Sequence, residues 1–412
     1  MKKKILIVDD SALMRRVFCD IINSDDRFEV VNTASDGAEG FKYLCAKSYD
    51  AVVLDVYMPK MTGLQLLEEM QKSKVSARVM MASTTTGEGA QETLDALTLG
   101  AIDFIKKPEN VANAREDTFS KQFLDLLYVV SCAPMPRFNG VTLSDSRDKS
   151  RTFTKRYDVN FHTTAEKLAS SRNSASTPAA SASKTRTPLT TRQTSAAGSF
   201  TRTVPSGSGA VSLRKVEHKG RNRIVAIASS TGGPKALQDV IPYLPGNLPV
   251  PVVLVQHMPK GFTKTLAERL NEISDIKVSE AVAGETLQNG HVYIAPGGSH
   301  LKIVKKGAVH QFIMTDEPAR EGVKPCANYM YESLEDCGYD EIICVVLTGM
   351  GADGTAGIKN LTGKKPTYII AQDQETSTVY GMPKSIALTG LVSEVVPLTQ
   401  IAEQISKNVG VH

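Results

Sequence analysis

Short, nearly continuous apolar runs recur toward both ends of the chain, each closed by polar or small residues. Such runs predict strands buried on both faces, which need no polar alternation. Ile5–Val8, Ala51–Leu54, Val79–Ala82 and Phe104–Ile105 stop at Asp9-Asp10, Asp55, Ser83 and Lys106-Lys107-Pro108. From Ser11 onward Leu13, Met14, Val17, Phe18, Ile21 and Ile22 fall at helical spacing, so a helix follows the first strand. Later runs are Ile224–Ala228, Val252–Val255, Val292–Ala295, Ile342–Leu347, Tyr368–Ala371 and Leu391–Val396, separated by helical stretches such as Thr263–Ile273. Strands alternating with helices predict an α/β protein with two largely parallel sheets.

Between the two patterned regions the periodicity stops. After a predicted helix over Asp117–Val130, Ser, Thr, Ala, Pro and basic residues dominate, and no acid occurs from Lys167 through Val216. That composition buries too little apolar surface to fold and predicts a disordered linker. A flexible stretch of about 70 residues has a root-mean-square reach of roughly 45 Å. It still holds its two ends at roughly millimolar effective concentration. The expected organisation is a first domain over 1–125, a helix end and linker over 126–220, and a second domain over 221–412.

Composition narrows the partners. The chain has 412 residues and a formal charge of +4, too mild to imply nucleic acid. The basic linker could dock on acidic partners or a membrane surface, but its charges are not interleaved with the aromatic platforms of nucleic-acid binders, so a solvated spacer is expected. Six cysteines are scattered with no C-x-x-C pair, which argues against a thiolate zinc site or disulfide framework and suits a reducing cytoplasm. The apolar run after Lys2-Lys3-Lys4 is too short for a signal peptide, and no stretch is long enough to span a bilayer. The expectation is a cytoplasmic protein that is not membrane-inserted.

The polar strand ends carry the chemistry of the first domain. Carboxylates gathered at one sheet edge repel each other, and a hard cation such as Mg²⁺ relieves this while accepting phosphate oxygens. A nearby lysine and hydroxyl could hold a phosphoryl group on one aspartate. Each acid taken singly could instead cap the following helix; the full set points to the cluster. I-L-I-V-D-D-S, V-V-L-D-V-Y-M-P-K-M-T-G and A-I-D-F-I-K-K-P resemble the response-regulator receiver domain over roughly residues 1–125. The resemblance implies a flavodoxin-like five-stranded parallel sheet with Asp55 as phosphoacceptor. It also implies Mg²⁺ held by Asp9, Asp10, Asp55 and the Tyr57 carbonyl, with Ser83 and Lys107 sensing phosphate and Phe104 as switch aromatic. Thr62 stands where an acid or asparagine is frequent.

In the second domain the stretch R-I-V-A-I-A-S-S-T-G-G-P-K-A-L runs from a strand through a tight turn into a helix with an early proline. Such a turn serves either as a phosphate cradle or as the seat of a serine nucleophile. The cradle is weakened by the missing lysine–threonine ending of a P-loop and the incomplete G-x-G-x-x-G. His257 and Asp353 stand at two further strand ends. Ser230, His257 and Asp353 could therefore converge as nucleophile, base and orienting acid, with backbone N–H groups near Met350 facing an oxyanion. Singly, Ser230 and Asp353 could cap helices and His257 could be a satisfied core histidine.

A-S-S-T-G-G-P, Q-H-M-P-K-G-F, Y-I-A-P-G-G-S-H, L-T-G-M-G-A-D-G and Y-G-M-P-K together resemble the catalytic domain of the chemotaxis protein-glutamate methylesterase family. The resemblance implies a doubly wound, mostly parallel domain with Ser230 as nucleophile, His257 as base, Asp353 as orienting acid, and Thr231 and Met350 beside the oxyanion. It implies a phosphorylation-activated esterase needing no cofactor for hydrolysis itself. Its substrates would be glutamate γ-methyl esters of methyl-accepting chemotaxis receptors, with glutamine deamidation by the same acyl chemistry, and its phosphodonor a histidine kinase. Ser229 stands where the family often has alanine, and Cys326 and Asn328, expected at the substrate rim, replace a serine and an aspartate. Two other readings are a non-catalytic regulator whose second domain binds a nucleotide or protein partner, and a DNA-binding regulator. The latter lacks a recognition-helix module.

Overall fold

The computed structural model describes residues 1–83, 87–108, 117–136, 203–204, 211–214 and 222–411. The first half alternates β1 (Lys3–Val8), α1 (Ala12–Asn23), β2 (Phe28–Ala34), α2 (Gly37–Ala46), β3 (Ala51–Asp55), α3 (Gly63–Lys72), β4 (Val79–Ser83), α4 (Gly87–Thr98), β5 (Asp103–Lys106) and α5 (Asp117–Cys132). The strands form one parallel sheet in the order β2-β1-β3-β4-β5. All but β2 follow the apolar runs. At the sheet edge β2 buries only Phe28 and Ala34, so its residues carry no continuous apolar signal. One face packs Ile5, Ile7, Val53 and Met80 against α1 and α5, where the Phe18 and Phe123 rings stack at 5.0 Å.

Within the stretch expected to be disordered, Thr203–Val204 (β6) pairs antiparallel with Val211–Ser212 (β7). The Arg214 N–H donates to the Val392 carbonyl at 2.8 Å, and Leu213 packs against the second core. Backbone pairing and one apolar anchor order these few residues against the composition around them. Residues 126–136 finish α5 and the turn after it, and the rest of the expected linker lies outside the described residues.

The second half follows with β8 (Arg223–Ser229), α6 (Gly233–Gln238), β9 (Val252–Gln256), α7 (Phe262–Ile273), β10 (Lys277–Glu280), β11 (His291–Ile294), β12 (His300–Lys306), β13 (Val309–Thr315) and α8 (Ala327–Ser333). It ends with β14 (Glu341–Val346), α9 (Thr355–Thr362), β15 (Thr367–Gln372), α10 (Met382–Ala387), β16 (Glu394–Val396) and α11 (Ile401–Val409). Seven strands form a parallel sheet in the order β10-β11-β9-β8-β14-β15-β16. The central strands β8, β9, β14 and β15 are buried almost throughout, which is why they read as apolar runs. Pattern reading missed the edge strand β10 and the hairpin β12–β13. The hairpin buries Leu301, Ile303 and Phe312 while Lys302, Lys305 and Lys306 interrupt its apolar pattern.

In both sheets strands adjacent in space lead to opposite sides, between β1 and β3 and between β8 and β14. A crevice opens outside the carboxyl ends of strands at such a switch point. Asp9, Asp10 and Asp55 stand at the first, and Ser230, His257 and Asp353 stand around the second.

Candidate active site and phosphoacceptor pocket

The last rung between β8 and β9 pairs Ser229 with Gln256, so Ser230 and His257 leave the sheet side by side. From the loop after neighbouring β14, the Asp353 Oδ2 lies 2.7 Å from His257 Nε2. The acid takes Nε2, which leaves Nδ1 as the nitrogen available toward the serine. Burial opposes charge on Asp353, but the His257, Cys326 and Ala327 hydrogen bonds outweigh it and hold the carboxyl below its usual range. An ionised acid of this kind fixes the imidazole tautomer and stabilises the imidazolium formed when it accepts a proton.

The adjacent hydroxyls separate by their surroundings. Ser229 is fully buried, and its hydroxyl donates to Gln256 Oε1 at 2.7 Å. Gln256 Nε2 in turn donates to the carbonyls of Ser230, at 2.9 Å, and His257, at 3.2 Å. Gln256 therefore clamps the turn that carries Ser230. The clamp needs glycine at 233, where a Cβ would fall 2.0 Å from Gln256 Oε1. Ser230 does not cap α6, whose N-cap is Gly232, and Asp353 does not cap α9, whose N-cap is Gly354; neither cap uses a side chain.

Thr348–Met350 completes the cleft. A Cβ on Gly349 would sit 2.8 Å from that of Ser230, so only glycine lets this loop approach the serine so closely. The Thr348 hydroxyl donates to the Thr231 carbonyl at 2.9 Å and accepts from the Val379 N–H, also at 2.9 Å. Thr348 N–H donates to Gln372 Oε1 at 2.7 Å. The Thr231 and Met350 backbones are thereby held around Ser230. Pattern reading gave no role to Gln256, Thr348 or Gln372. Their signal was a polar residue at or just beyond the end of an otherwise apolar strand. Cys326 and Asn328, expected at the rim, are fully buried behind Asp353, which corrects that expectation.

In the first domain Asp9, Asp10 and Asp55 each place a carboxylate oxygen within 4.8 Å of the others. Asp9 and Asp55 are buried and Asp10 is exposed. Lys107 Nζ lies 2.7 Å from Asp9 Oδ2 and 2.6 Å from Asp55 Oδ2. Burial drives the Asp55 carboxyl up to about 6; Lys107 counters this and Asp9 adds to it. The capping reading fails for Asp9 and Asp10, because Ser11 caps α1. Ser83 is fully buried and accepts from the Thr93 hydroxyl of α4 at 2.7 Å. Tyr57 follows β3 with its side chain exposed.

The two domains meet through Phe104, Thr98 and Asp103 of the first. The Phe104 ring packs 4.5 Å from that of Phe262, at the start of α7. Thr98 Oγ1, ending α4, lies 3.3 Å from Gln238 Oε1, ending α6. Burial raises the Asp103 carboxyl to about 6, while hydrogen bonds from the Thr231 side chain and the Phe104 N–H favour its charged form. A receiver carboxylate thus touches the residue that follows Ser230.

The family profile described as CheB methylesterase matches residues 225–405, and that described as response regulator receiver domain matches 5–117. A protein-glutamate methylesterase/protein-glutamine glutaminase of Geobacillus kaustophilus is 36% identical over 407 residues, 99% of each chain. One of the same name from Bacillus subtilis is 35% identical, covering 98% of this chain and 97% of its own. The crystal structure of the Thermotoga maritima CheB methylesterase catalytic domain is 40% identical at a TM-score of 0.43, covering 46% of this chain and 99% of that one. No described helix is long and apolar enough to cross a membrane. With the receiver and esterase profiles in order on one chain and relatives matched end to end, the protein belongs to the protein-glutamate methylesterase/protein-glutamine glutaminase family.

Proposed function

We propose that this chain hydrolyses glutamate γ-methyl esters on methyl-accepting chemotaxis receptors, under control of phosphorylation at Asp55. The observation that carries the catalytic half is the 2.7 Å contact between His257 and Asp353 beside the strand end bearing Ser230. Ser230 Oγ attacks the ester carbonyl carbon as His257 Nδ1 takes the hydroxyl proton, with Nε2–H held by Asp353. The oxyanion faces the Thr231 and Met350 N–H groups. Collapse breaks the bond to the methoxy oxygen, which leaves as methanol with the proton from His257. Water, deprotonated by His257, then cleaves the acyl-serine, releasing glutamate and restoring Ser230. A receptor glutamine follows the same course with ammonia as leaving group. Methanol release from a methylated receptor tests the reading; none from the wild type, with phosphodonor and Mg²⁺ present, would sink it.

Three oxygens within 4.8 Å suit a small hard cation. Asp9, Asp10, Asp55 and the Tyr57 carbonyl would hold Mg²⁺, which when bound neutralises the phosphoryl charge. Asp55 accepts the phosphoryl group from a histidine kinase or small donor, and Lys107 pairs with the charge formed. Because Asp55 titrates at about 6, protons compete with the cation below that pH. Apparent Mg²⁺ affinity, read by titration, is expected to weaken roughly tenfold per pH unit below 6. A flat profile from pH 7 to 5 would contradict it.

In the resting protein the receiver packs over the Ser230 cleft, supported by the Asp103–Thr231 and Phe104–Phe262 contacts. Ser83 is the link, since its hydroxyl is engaged by Thr93 and by the Gly89 carbonyl on α4, the helix that also meets α6. A phosphoryl group on Asp55 that recruits Ser83 withdraws it from α4 and loosens the contact. Asp103→Ala is expected to raise donor-free methanol release by about 3- to 10-fold, the scale of one ordinary hydrogen bond. Unchanged or lower basal release would remove Asp103 from the inhibitory contact.

A further inference from the structure

Asp353 holds more than His257. Its Oδ2 accepts from the Ala327 N–H at 2.6 Å as well as facing the imidazole. Its Oδ1 accepts from the Cys326 thiol at 3.0 Å, the Asn328 N–H at 3.0 Å and the Gly354 N–H at 2.8 Å. Three consecutive residues, Cys326 to Asn328, therefore aim donors at one buried carboxylate. Burial and the neighbouring Asp353 charge raise the Cys326 thiol to about 12, so it keeps the proton that it donates.

That segment is itself fixed from behind. The Cys326 N–H donates to His300 Nδ1 at 3.2 Å, and His300 Nε2 lies 3.2 Å from the Pro318 carbonyl. A carbonyl can only accept, so Nε2 carries the proton and Nδ1 is free to accept. His300 is fully buried, and burial lowers its proton affinity, consistent with a neutral ring of one tautomer. The Tyr329 ring packs edge-to-face on it at 4.6 Å. His300 thus fastens the hairpin strand β12 to the donors of Asp353. A buried carboxylate bearing this many donors remains ionised and stays in one orientation.

We propose that His300 and Cys326 are positioning residues for the acid of the triad, His300 by holding the Cys326–Asn328 segment and Cys326 by its thiol hydrogen bond to Asp353. The role rests on the triad reading above. Neither residue touches substrate, so their loss is expected in kcat, with KM unchanged.

The test is methanol release by the full-length, donor-activated protein, with folding checked by thermal melts. Cys326→Ala removes the donor and is expected to lower kcat about tenfold, while Cys326→Ser restores a hydroxyl donor and most of the rate. His300→Asn keeps an acceptor oxygen at the Nδ1 position; His300→Gln keeps only a donor toward Pro318. The Asn variant is expected to retain several-fold more kcat than the Gln variant. Wild-type kcat in Cys326→Ala, or Ser and Ala variants equally slow, would overturn the thiol's role. Equal kcat in the two His300 variants would overturn that of the imidazole. Full turnover in Ser230→Ala or Asp353→Asn would remove the triad and this proposal with it. Loss in those two beside a wild-type Cys326→Ala would remove the thiol's positioning role and leave the triad.

Discussion

Ser230→Ala is expected to lower kcat for methanol release by about a million-fold, the scale seen when a serine nucleophile is removed from an assembled triad. The size follows from what remains. Without Oγ no acyl-enzyme forms, and His257 and the oxyanion donors are left to assist direct attack by water on an unaligned ester. Ser229 cannot substitute, because its hydroxyl is fully buried and committed to Gln256 Oε1 at 2.7 Å. Ser229→Ala should be far milder, since it removes only one neutral hydrogen bond from the Gln256 clamp. Folding of Ser230→Ala should be unaffected, because the Ser230 contacts that shape the turn, Ser230 N–H to the Thr348 carbonyl and Gly233 N–H to the Ser230 carbonyl, are backbone ones. A Ser230→Ala protein that retains turnover while Ser229→Ala loses it would reverse the assignment.

Asp353→Asn is expected to lower kcat about ten-thousand-fold. An amide nitrogen at the Oδ2 position would donate to His257 Nε2 and force the imidazole proton onto Nδ1. That nitrogen must be unprotonated to accept from Ser230. An amide nitrogen at the Oδ1 position instead meets the Cys326, Asn328 and Gly354 donors and leaves them unpaired. Either orientation confronts donor with donor, so stability should also fall, by about 1–3 kcal/mol. The pH dependence gives a second readout. The folded carboxyl lies below its ordinary value, so its contribution is present in full above about pH 4 and lost as pH falls through the folded value. Urea melts of the wild type and Asp353→Asn should therefore converge in the acid range. A stability difference that persisted unchanged to pH 2 would contradict this origin.

Much of the fold was open to pattern reading because its central strands are covered on both sides. β8, β9, β14 and β15 announce themselves as apolar runs, and the residues ending them carry the chemistry. Elements that use another rule were not visible. β2 and β10 lie at sheet edges and mix buried with exposed positions, while in the lysine-bearing hairpin β12 buries His300, Leu301 and Ile303 and β13 only Phe312. The paired β6 and β7 lie inside a stretch whose composition reads as disordered, because two backbone rungs leave no compositional trace.

The chain's own order of residues determined two parallel α/β domains, the acid set Asp9, Asp10 and Asp55, and Ser230, His257 and Asp353 as strand-end candidates. Strand period, turn glycines and local motifs are short-range properties, so they are written contiguously. Only the tertiary structure decided which hydroxyl of the Ser229–Ser230 pair is free, because the answer lies in Gln256 on the neighbouring strand. Only it gave Asp353 to His257 Nε2, buried Cys326 behind that acid, and set Asp103 against Thr231. Each of these is a contact between residues remote in sequence, whose energies depend on distance and burial in the assembled fold.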